Sequence, residues 1–276
     1  MAYKVIDLNE HIGYVNFKAL DIDAVILRVG YRGYAPEGKL MIDNKFKSYI
    51  KSCNKYHIPV GVYFFSQATS VAEAKAEAKF VLRNISDYRV DLPVYFNVEY
   101  AKNSKGFTGR LYNKQISKEK QTRIAKAFCD TILINGYEAG VFSNYDFFKN
   151  KLIAEQLNNY SLWISYYSAK GVPVVAGADF DMWQYTDDAE VKGVTGMVAA
   201  DCLYKDFVWR KYATTADLNY RSSANLHLKD YSGTLAEGTV VDVLTGSEVI
   251  SDGYEWVKIR LDDKMYYVVK QHLRRV

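Results

Sequence analysis

The sequence predicts an α/β barrel followed by a small all-β unit, on three observations. Over roughly the first 210 residues, short runs rich in Val, Ile, Tyr and Phe alternate with longer stretches of helical period. After five such alternations the connections shorten and three more strands follow with little helix. A parallel sheet built this way curls into a barrel with an irregular closing half. From about residue 211 the helical period disappears, and short alternating runs separated by Gly, Asp and Ser take over. An open doubly wound sheet is the alternative for the first part, but no GxGxxG follows the first strand.

The strands read in order as "KVIDL" (4–8), "AVILRVG" (24–30), "VGVYFF" (60–65), "PVYFNVE" (93–99), "AGVFSN" (139–144), "LWISYY" (162–167), "FDMWQYT" (180–186) and "GMVAAD" (196–201). Helices are expected over 14–20, 43–57, 70–86, 117–136 and 145–158. The helix over 70–86 is the clearest. Ser70 is an N-cap with Glu73 three residues on, a capping-box spacing, and Ala74, Ala78, Val81, Leu82 and Ile85 form one apolar stripe. The helix over 117–136 starts at Ser117 and stops at Gly136, which suits a left-handed cap. The barrel is assigned to 1–210, a linker to 211–216 and the β unit to 217–276. The β unit contains "LNYRS", "GTVVDVLT", "GYEWVKIRL" and "KMYYVVK".

The chain has 276 residues, 49% hydrophobic and 25% charged, enough for one large and one small core. Its 24 tyrosines suit carbohydrate or peptide contact, or simply strands. The net charge of +4 comes without a basic cluster, which argues against nucleic acid as a partner. Cys53, Cys129 and Cys202 are odd in number and far apart, so they read as free thiols. His11, His57, His227 and His272 are scattered, and HExxH, CxxC and GxSxG are all missing. Zinc and serine hydrolases therefore have little support. No run of eighteen apolar residues and no signal peptide is found. The opening "MAYKVIDLNE" enters a strand almost at once, so the expectation is synthesis in the cytoplasm, or an export signal already trimmed, with no membrane insertion.

In a barrel of this kind, functional groups gather at the C-terminal ends of the strands. Three acids fall at such ends, Asp7, Glu99 and Asp201, together with many aromatics. That set suits glycoside cleavage, which needs a proton donor for the leaving oxygen and a nearby anion or nucleophile for the sugar's developing positive charge. Asn97 and Glu99 are two apart on one strand and share a side. Each residue alone has a plainer reading: Asp7 and Asp201 as turn caps, Glu99 as a solvated strand end, Trp183 and Tyr185 as core. Their position at corresponding ends of different strands is what favours a site.

At this point the first domain resembles the glycoside hydrolase family 25 lysozymes, the N-acetylmuramidases of phage, bacteria and fungi. The resemblance is carried over residues 3–208 by "VIDLNEHIGYVNF", "AVILRVGYRGYAPEGKLMIDNKF", "HIPVGVYFFSQATSVAEAKAEAKFV", "LPVYFNVEY", "GVFSNYDFF", "LWISYY", "MWQYTDDAEVKGVTG" and the last strand with its Asp, all in order. It implies a flattened, irregular (β/α) barrel of five β/α units plus three strands. It also implies hydrolysis of the β-1,4 bond between N-acetylmuramic acid and N-acetylglucosamine in peptidoglycan, by an endolysin acting on the bacterial cell wall, of phage or prophage type. By position Glu99 matches the family's acid/base, and Asp7 and Asp201 its supporting acids. Tyr31, Tyr63, Phe65, Tyr145, Tyr166, Trp183 and Gln184 are candidates to line the sugar groove. The resemblance implies no metal or organic cofactor. Two departures stand out. The family has Asp where this chain has Asn97, and "VAADCLYKDF" departs from the usual Asp-x-Asn. In the mechanism the resemblance implies, the substrate's 2-acetamido group attacks the anomeric carbon and the missing Asp would orient it. Asn97 therefore implies a weakened or inactive enzyme, or a non-catalytic peptidoglycan-binding protein. A chitinase-type barrel is less well matched, since "YFNVE" offers only the end of DxxDxDxE.

The C-terminal unit resembles a bacterial SH3-like (SH3b) cell-wall-binding domain through "ADLNYRSSAN", "GTLAEGTVVDVL" and the "GYEWVKI" and "YYVVKQHL" runs. This implies binding to peptidoglycan or its cross-bridge peptide, with Tyr220, Tyr231, Tyr254, Trp256 and Tyr267 as aromatic candidates.

Overall fold

The structure is a computed structural model that describes residues 2–56, 58–102, 106–112, 114–168, 171–205, 209–262 and 264–276, with the main chain only at Trp209, Thr245 and Gly246. His57, at the end of the helix expected over 43–57, and Asp206 and Phe207 of "VAADCLYKDF" lie outside the described residues. The chain divides into two units, Met1–Tyr204 and Lys205–Val276.

The first unit runs β1 (Tyr3–Leu8), β2 (Ala24–Arg32), β3 (Leu40–Ile42), α1 (Phe46–Lys55), β4 (Val60–Ser66), α2 (Val71–Ile85), β5 (Val94–Val98), α3 (Lys118–Ile134), β6 (Ala139–Asn144), α4 (Tyr145–Lys151), β7 (Ser161–Ser165), β8 (Met182–Ala189) and β9 (Val198–Leu203). Eight strands close in the order β1, β9, β8, β7, β6, β5, β4, β2, with β1 pairing back to β2 and β3 added as an edge. Every barrel pairing is parallel except the two made by β9, which runs antiparallel to both β8 and β1. This is a closed mixed barrel in which β1 is followed by a 3-10 turn, four β/α units come next and three further strands close it, with two differences from expectation. The helix expected over 145–158 ends at Lys151, and a 3-10 turn at Ala154–Leu157 takes up its second half. The helix expected over 14–20 is only a 3-10 turn at Phe17–Ala19, because Val15 bridges to Val194 and the Asn16 N–H is given to Gly193 O (2.7 Å).

Alternation along each strand builds two layers. Ile6, Leu8, Val25, Leu27, Val62, Phe64, Val94, Phe96 and Val98 face outward and join the buried faces of α1 to α3 in one core. The other parity fills the lumen, where Trp163 meets Phe142 (4.0 Å), Tyr95 (5.2 Å) and Tyr63 (6.2 Å) ring to ring. Gly140 is required there, since a Cβ would overlap the Tyr95 ring.

Helix α2 starts as its sequence indicates, with Ser70 Oγ accepting from Glu73 N (3.2 Å). Glu73 does not close the box on Ser70. It takes the Thr69 N–H (2.7 Å) and the Arg110 guanidinium (2.6 Å) instead. One turn on, Glu77 is fully buried on the apolar side and is held by Arg32 (2.6 Å) and Ser66 Oγ (2.7 Å), while Leu82 is only partly buried. At the end of α3, Gly136 adopts φ +85° and donates to Leu133 O.

The second unit is an antiparallel sheet of β10 (Trp209–Thr214), β11 (Leu218–Arg221), β12 (Tyr231–Leu235), β13 (Val240–Ser251), β14 (Tyr254–Leu261), β15 (Lys264–Val269) and β16 (Leu273–Arg275), in the order β12, β11, β15, β14, β13, β10, β16. Its core is Leu218, Leu235, Val241, Val243, Val257, Ile259 and Val268. Asp252 and Gly253 both have positive φ, as the two-residue turn between β13 and β14 requires. The stretch 211–216 read as a linker is largely strand. Lys211–Ala213 pair with β13 and Tyr212–Thr214 with β16. Its Lys, Ala and Thr residues carried no strand signal because long-range pairing, not local propensity, makes them a strand.

Candidate active site

Glu99 sits one residue beyond the C-terminal end of β5, and Tyr95 and Asn97 of the same parity lie below it. The Asn97 side chain is 5% exposed. Its amide lies beside the Glu99 carboxylate and favours the charged form, while its own Oδ1 is buried without a partner. From the next strand Asn144 Nδ2 donates to Glu99 Oε2 (3.4 Å), and Asn144 Oδ1 caps α4 by accepting from Phe147 N (2.9 Å). Burial pushes the Glu99 carboxyl above its usual range, and these two amides pull the other way.

Asp7, at the end of β1, is buried and accepts from Gln184 Nε2 (2.7 Å), with the buried Tyr63 beside it. Gln184 is held in turn by the Tyr167 hydroxyl on its Oε1 (2.8 Å). Burial raises Asp7 to about 7, with Arg28 opposing and Glu99 reinforcing the shift. Asp201 is deeper, 1% exposed, with Trp163 Nε1 donating to its Oδ1 (2.8 Å) and its Oδ2 left without a partner. Burial first, and the Asp7 charge second, hold Asp201 well above the normal carboxylate range. Asp201 reaches this place by a route the strand-end argument did not foresee. Because β9 is antiparallel, Asp201 lies mid-strand opposite Val5 and Gln184, one layer beneath Asp7.

Two clefts open at this end of the barrel. One, of about 510 Å³, is walled by Tyr100, Tyr112, Tyr145, Tyr166 and Tyr167, with Asn144 at its base. Tyr100 stacks on Tyr112 (4.7 Å) and Tyr145 on Tyr166 (5.1 Å). The other, of about 450 Å³, is lined by Glu10, Arg28, Tyr31, Tyr34 and Phe65. Arg28 there is tied to Asp43 (2.8 Å) and Glu10 (3.0 Å). Among the described residues no cluster of three His, Cys, Asp or Glu could hold a metal.

Of the groove candidates, Tyr31, Phe65, Tyr145 and Tyr166 line a cleft, and Tyr63 and Gln184 are buried beneath it on Asp7. Trp183 is not part of this surface. It has the opposite parity to Gln184, packs on the outer core, and donates its Nε1 to Tyr166 O (2.9 Å). Sequence reasoning singled out neither Asn144 nor Tyr167 as site residues, although both stand in the strand ends "FSN" and "SYY"; Tyr100 follows Glu99 directly.

A family model for the glycosyl hydrolases family 25 matches residues 6–194, and the chain belongs to that family. Among solved structures, the modular autolysin LytC from Streptococcus pneumoniae aligns at TM-score 0.64 and 24% identity, covering 74% of this chain and 47% of LytC. The chain thus spans about half the length of LytC, which has also been solved with a synthetic peptidoglycan ligand. The spore cortex lytic enzyme SleM from Clostridium perfringens aligns at 0.65 and 21% identity, covering 97% of this chain and 98% of SleM. The catalytic domain of endolysin ply40, from a Listeria monocytogenes bacteriophage, aligns at 0.55 and 17% identity over 74% of this chain and 93% of its own. At these identities the likeness is one of fold. No curated protein matches the chain.

Proposed function

We propose that the barrel cleaves the β-1,4 bond between N-acetylmuramic acid and N-acetylglucosamine in bacterial peptidoglycan, and does so slowly because Asn stands at position 97. The observation that carries this reading is the pair at the end of β5: a carboxyl held up by burial beside a buried amide oxygen without a partner. Protonated Glu99 donates to the leaving glycosidic oxygen as the bond to the anomeric carbon breaks. The substrate's acetamido oxygen attacks that carbon, and its N–H becomes a donor for Asn97 Oδ1 once that side chain turns out of its buried position. Water then opens the cyclic intermediate, and the Glu99 carboxylate takes its proton. Asp7 and Asp201 lie below, and the tyrosine walls offer flat faces to the sugar rings. Asn97 orients the acetamido group but supplies no negative charge to balance it.

The neutral amide at position 97 also favours a second reading, a peptidoglycan-binding protein that keeps the groove without turnover. In both readings the C-terminal unit acts as an SH3b-like wall-binding module that raises the local concentration of the barrel on its insoluble substrate. Tyr231 and Tyr254 are exposed there and available for contact, whereas Trp256 is 1% exposed and belongs to the core. The site of action is the cell wall, with an endolysin role of phage or prophage type; no described helix is long and apolar enough to cross a membrane. The test is release of new reducing ends from purified peptidoglycan, alongside pull-down on the same material. Slow release abolished by Glu99→Gln with binding retained supports the enzyme. Binding with no release at any enzyme concentration supports the binder. Neither binding nor release refutes both.

A further inference from the structure

Gln67 follows β4 and is 0% exposed, so no substrate can touch it. Its Nε2 donates to the main-chain oxygens of Glu99 (3.0 Å) and Ser66 (2.9 Å), and its Oε1 accepts from Leu111 N (3.4 Å). Two acceptors face the amide nitrogen and one donor faces the oxygen, so the partners fix the amide's orientation. Arg110 grips the same turn, donating to Gln67 O (3.0 Å) and to Glu73 Oε1 (2.6 Å). Gly109 N donates to Ala101 O (2.7 Å), and a Cβ at Gly109 would overlap Gln67 Oε1. Glu99 itself lies one residue past the last paired residue of β5. Immediately beyond this knot, Tyr112 stacks on Tyr100, the residue after Glu99.

We propose that Gln67 is a positioning residue that ties the main chain of Glu99 to the 106–112 segment, so that the acid and the Tyr100–Tyr112 wall hold one geometry. The proposal rests on the reading of Glu99 as the acid. It accounts for an uncharged, fully satisfied side chain buried between two loops, where an apolar residue would pack without the cost of burying an amide.

Two variants test it. Gln67→Met keeps most of the volume and removes the amide. Gly109→Ala displaces the amide from the far side at a position of ordinary backbone geometry. The first readout needs no turnover: the Glu99 carboxyl is followed by carbon-13 NMR from pH 3 to 9 in the chain as it stands, assigned by its loss in Glu99→Gln. The groups facing Glu99, namely Asn97, Asn144, Asp7, Tyr34 and Tyr167, are the same in both variants. With its tether gone the carboxyl reaches water, and its midpoint falls toward the ordinary range by about half a pH unit or more. The second readout adds each variant to Asn97→Asp, where kcat drops about tenfold while KM stays within about twofold. A Glu99 midpoint unmoved in both variants overturns the proposal, even if their melting temperatures fall. If Asn97→Asp does not cleave peptidoglycan, the hydrolase reading fails while the NMR titration still decides the role of Gln67.

Discussion

Placing a carboxylate at position 97 perturbs the site at its centre. Residues two apart on a strand are about 6.6 Å apart along it and project to the same side. Two carboxylates at about 6 Å in a medium of effective dielectric about 20 repel by about 3 kcal/mol. That corresponds to about two pH units on Glu99. Asn97→Asp also removes the neighbouring amide that now favours the Glu99 carboxylate, so both changes act in the same direction. The Glu99 midpoint is expected to rise by about two units, moving the alkaline limb of the kcat/KM profile upward. The negative charge meets the positive charge on the attacking acetamido group, and such an electrostatic partner supplies about 3 kcal/mol, a hundredfold or more in rate. The free protein pays for this, because Asn97 Oδ1 already lacks a partner and a carboxylate there is buried no better. A stability loss of about 1–3 kcal/mol is expected in urea unfolding. The assay is reducing-end release across pH 4 to 9 for the chain and for Asn97→Asp. Equal rates in the two proteins, or a Glu99 midpoint that falls in the variant, would refute the reasoning.

Two more outcomes follow from the buried charges. Asp7 and Asp201 hold protons in the native state that the unfolded chain, with carboxyls near 3.8, releases. Stability of the native chain is therefore expected to fall as pH rises from about 4 through about 7, where Asp7 ionises, and to go on falling until Asp201 ionises as well. Asp201→Asn removes one of these groups and the push it exerts on its neighbour, so thermal scans at pH 5 and pH 8 should differ less than in the parent; a parent that melts higher at pH 8 contradicts the assignment. Glu77→Gln breaks the buried pair with Arg32 (2.6 Å) and leaves the guanidinium with only the more distant Glu73 carboxylate (3.9 Å), for an expected loss of about 3 kcal/mol by denaturant titration. A loss below about 1 kcal/mol would mean that Gly38 O and Glu73 O satisfy Arg32 by themselves.

The parts of this protein written in its sequence are the ones set by short-range physics. The Ser70 and Ser117 caps and the Gly136 stop depend on neighbours within a turn and stand where the residues indicate, whereas the helices expected over 14–20 and 145–158 form only in part or as 3-10 turns. Asp7, Asn97 and Glu99 were legible as a cluster because parallel strands present their C-terminal ends to one side. That same argument was mistaken for Asp201 in its route, though not in its neighbourhood: nothing local to "GMVAAD" says that β9 runs antiparallel and delivers Asp201 from mid-strand. Period two groups Trp183 with Tyr185 and Gln184 with Met182, but which pair enters the lumen is decided only when the barrel closes. Residues 211–214, read as a linker, become a strand only because β13 and β16 lie on either side. Nothing local to Gln67 or Glu77 indicates that either is buried, since the partners that hold them lie 32 and 45 positions away. The sequence by itself determined which chemical groups lie near the strand ends. Tertiary structure alone decided how deep each was buried and what it touched. Desolvation and hydrogen bonding, which set whether a carboxyl is an acid or a base, depend on contacts between distant segments that no local pattern encodes.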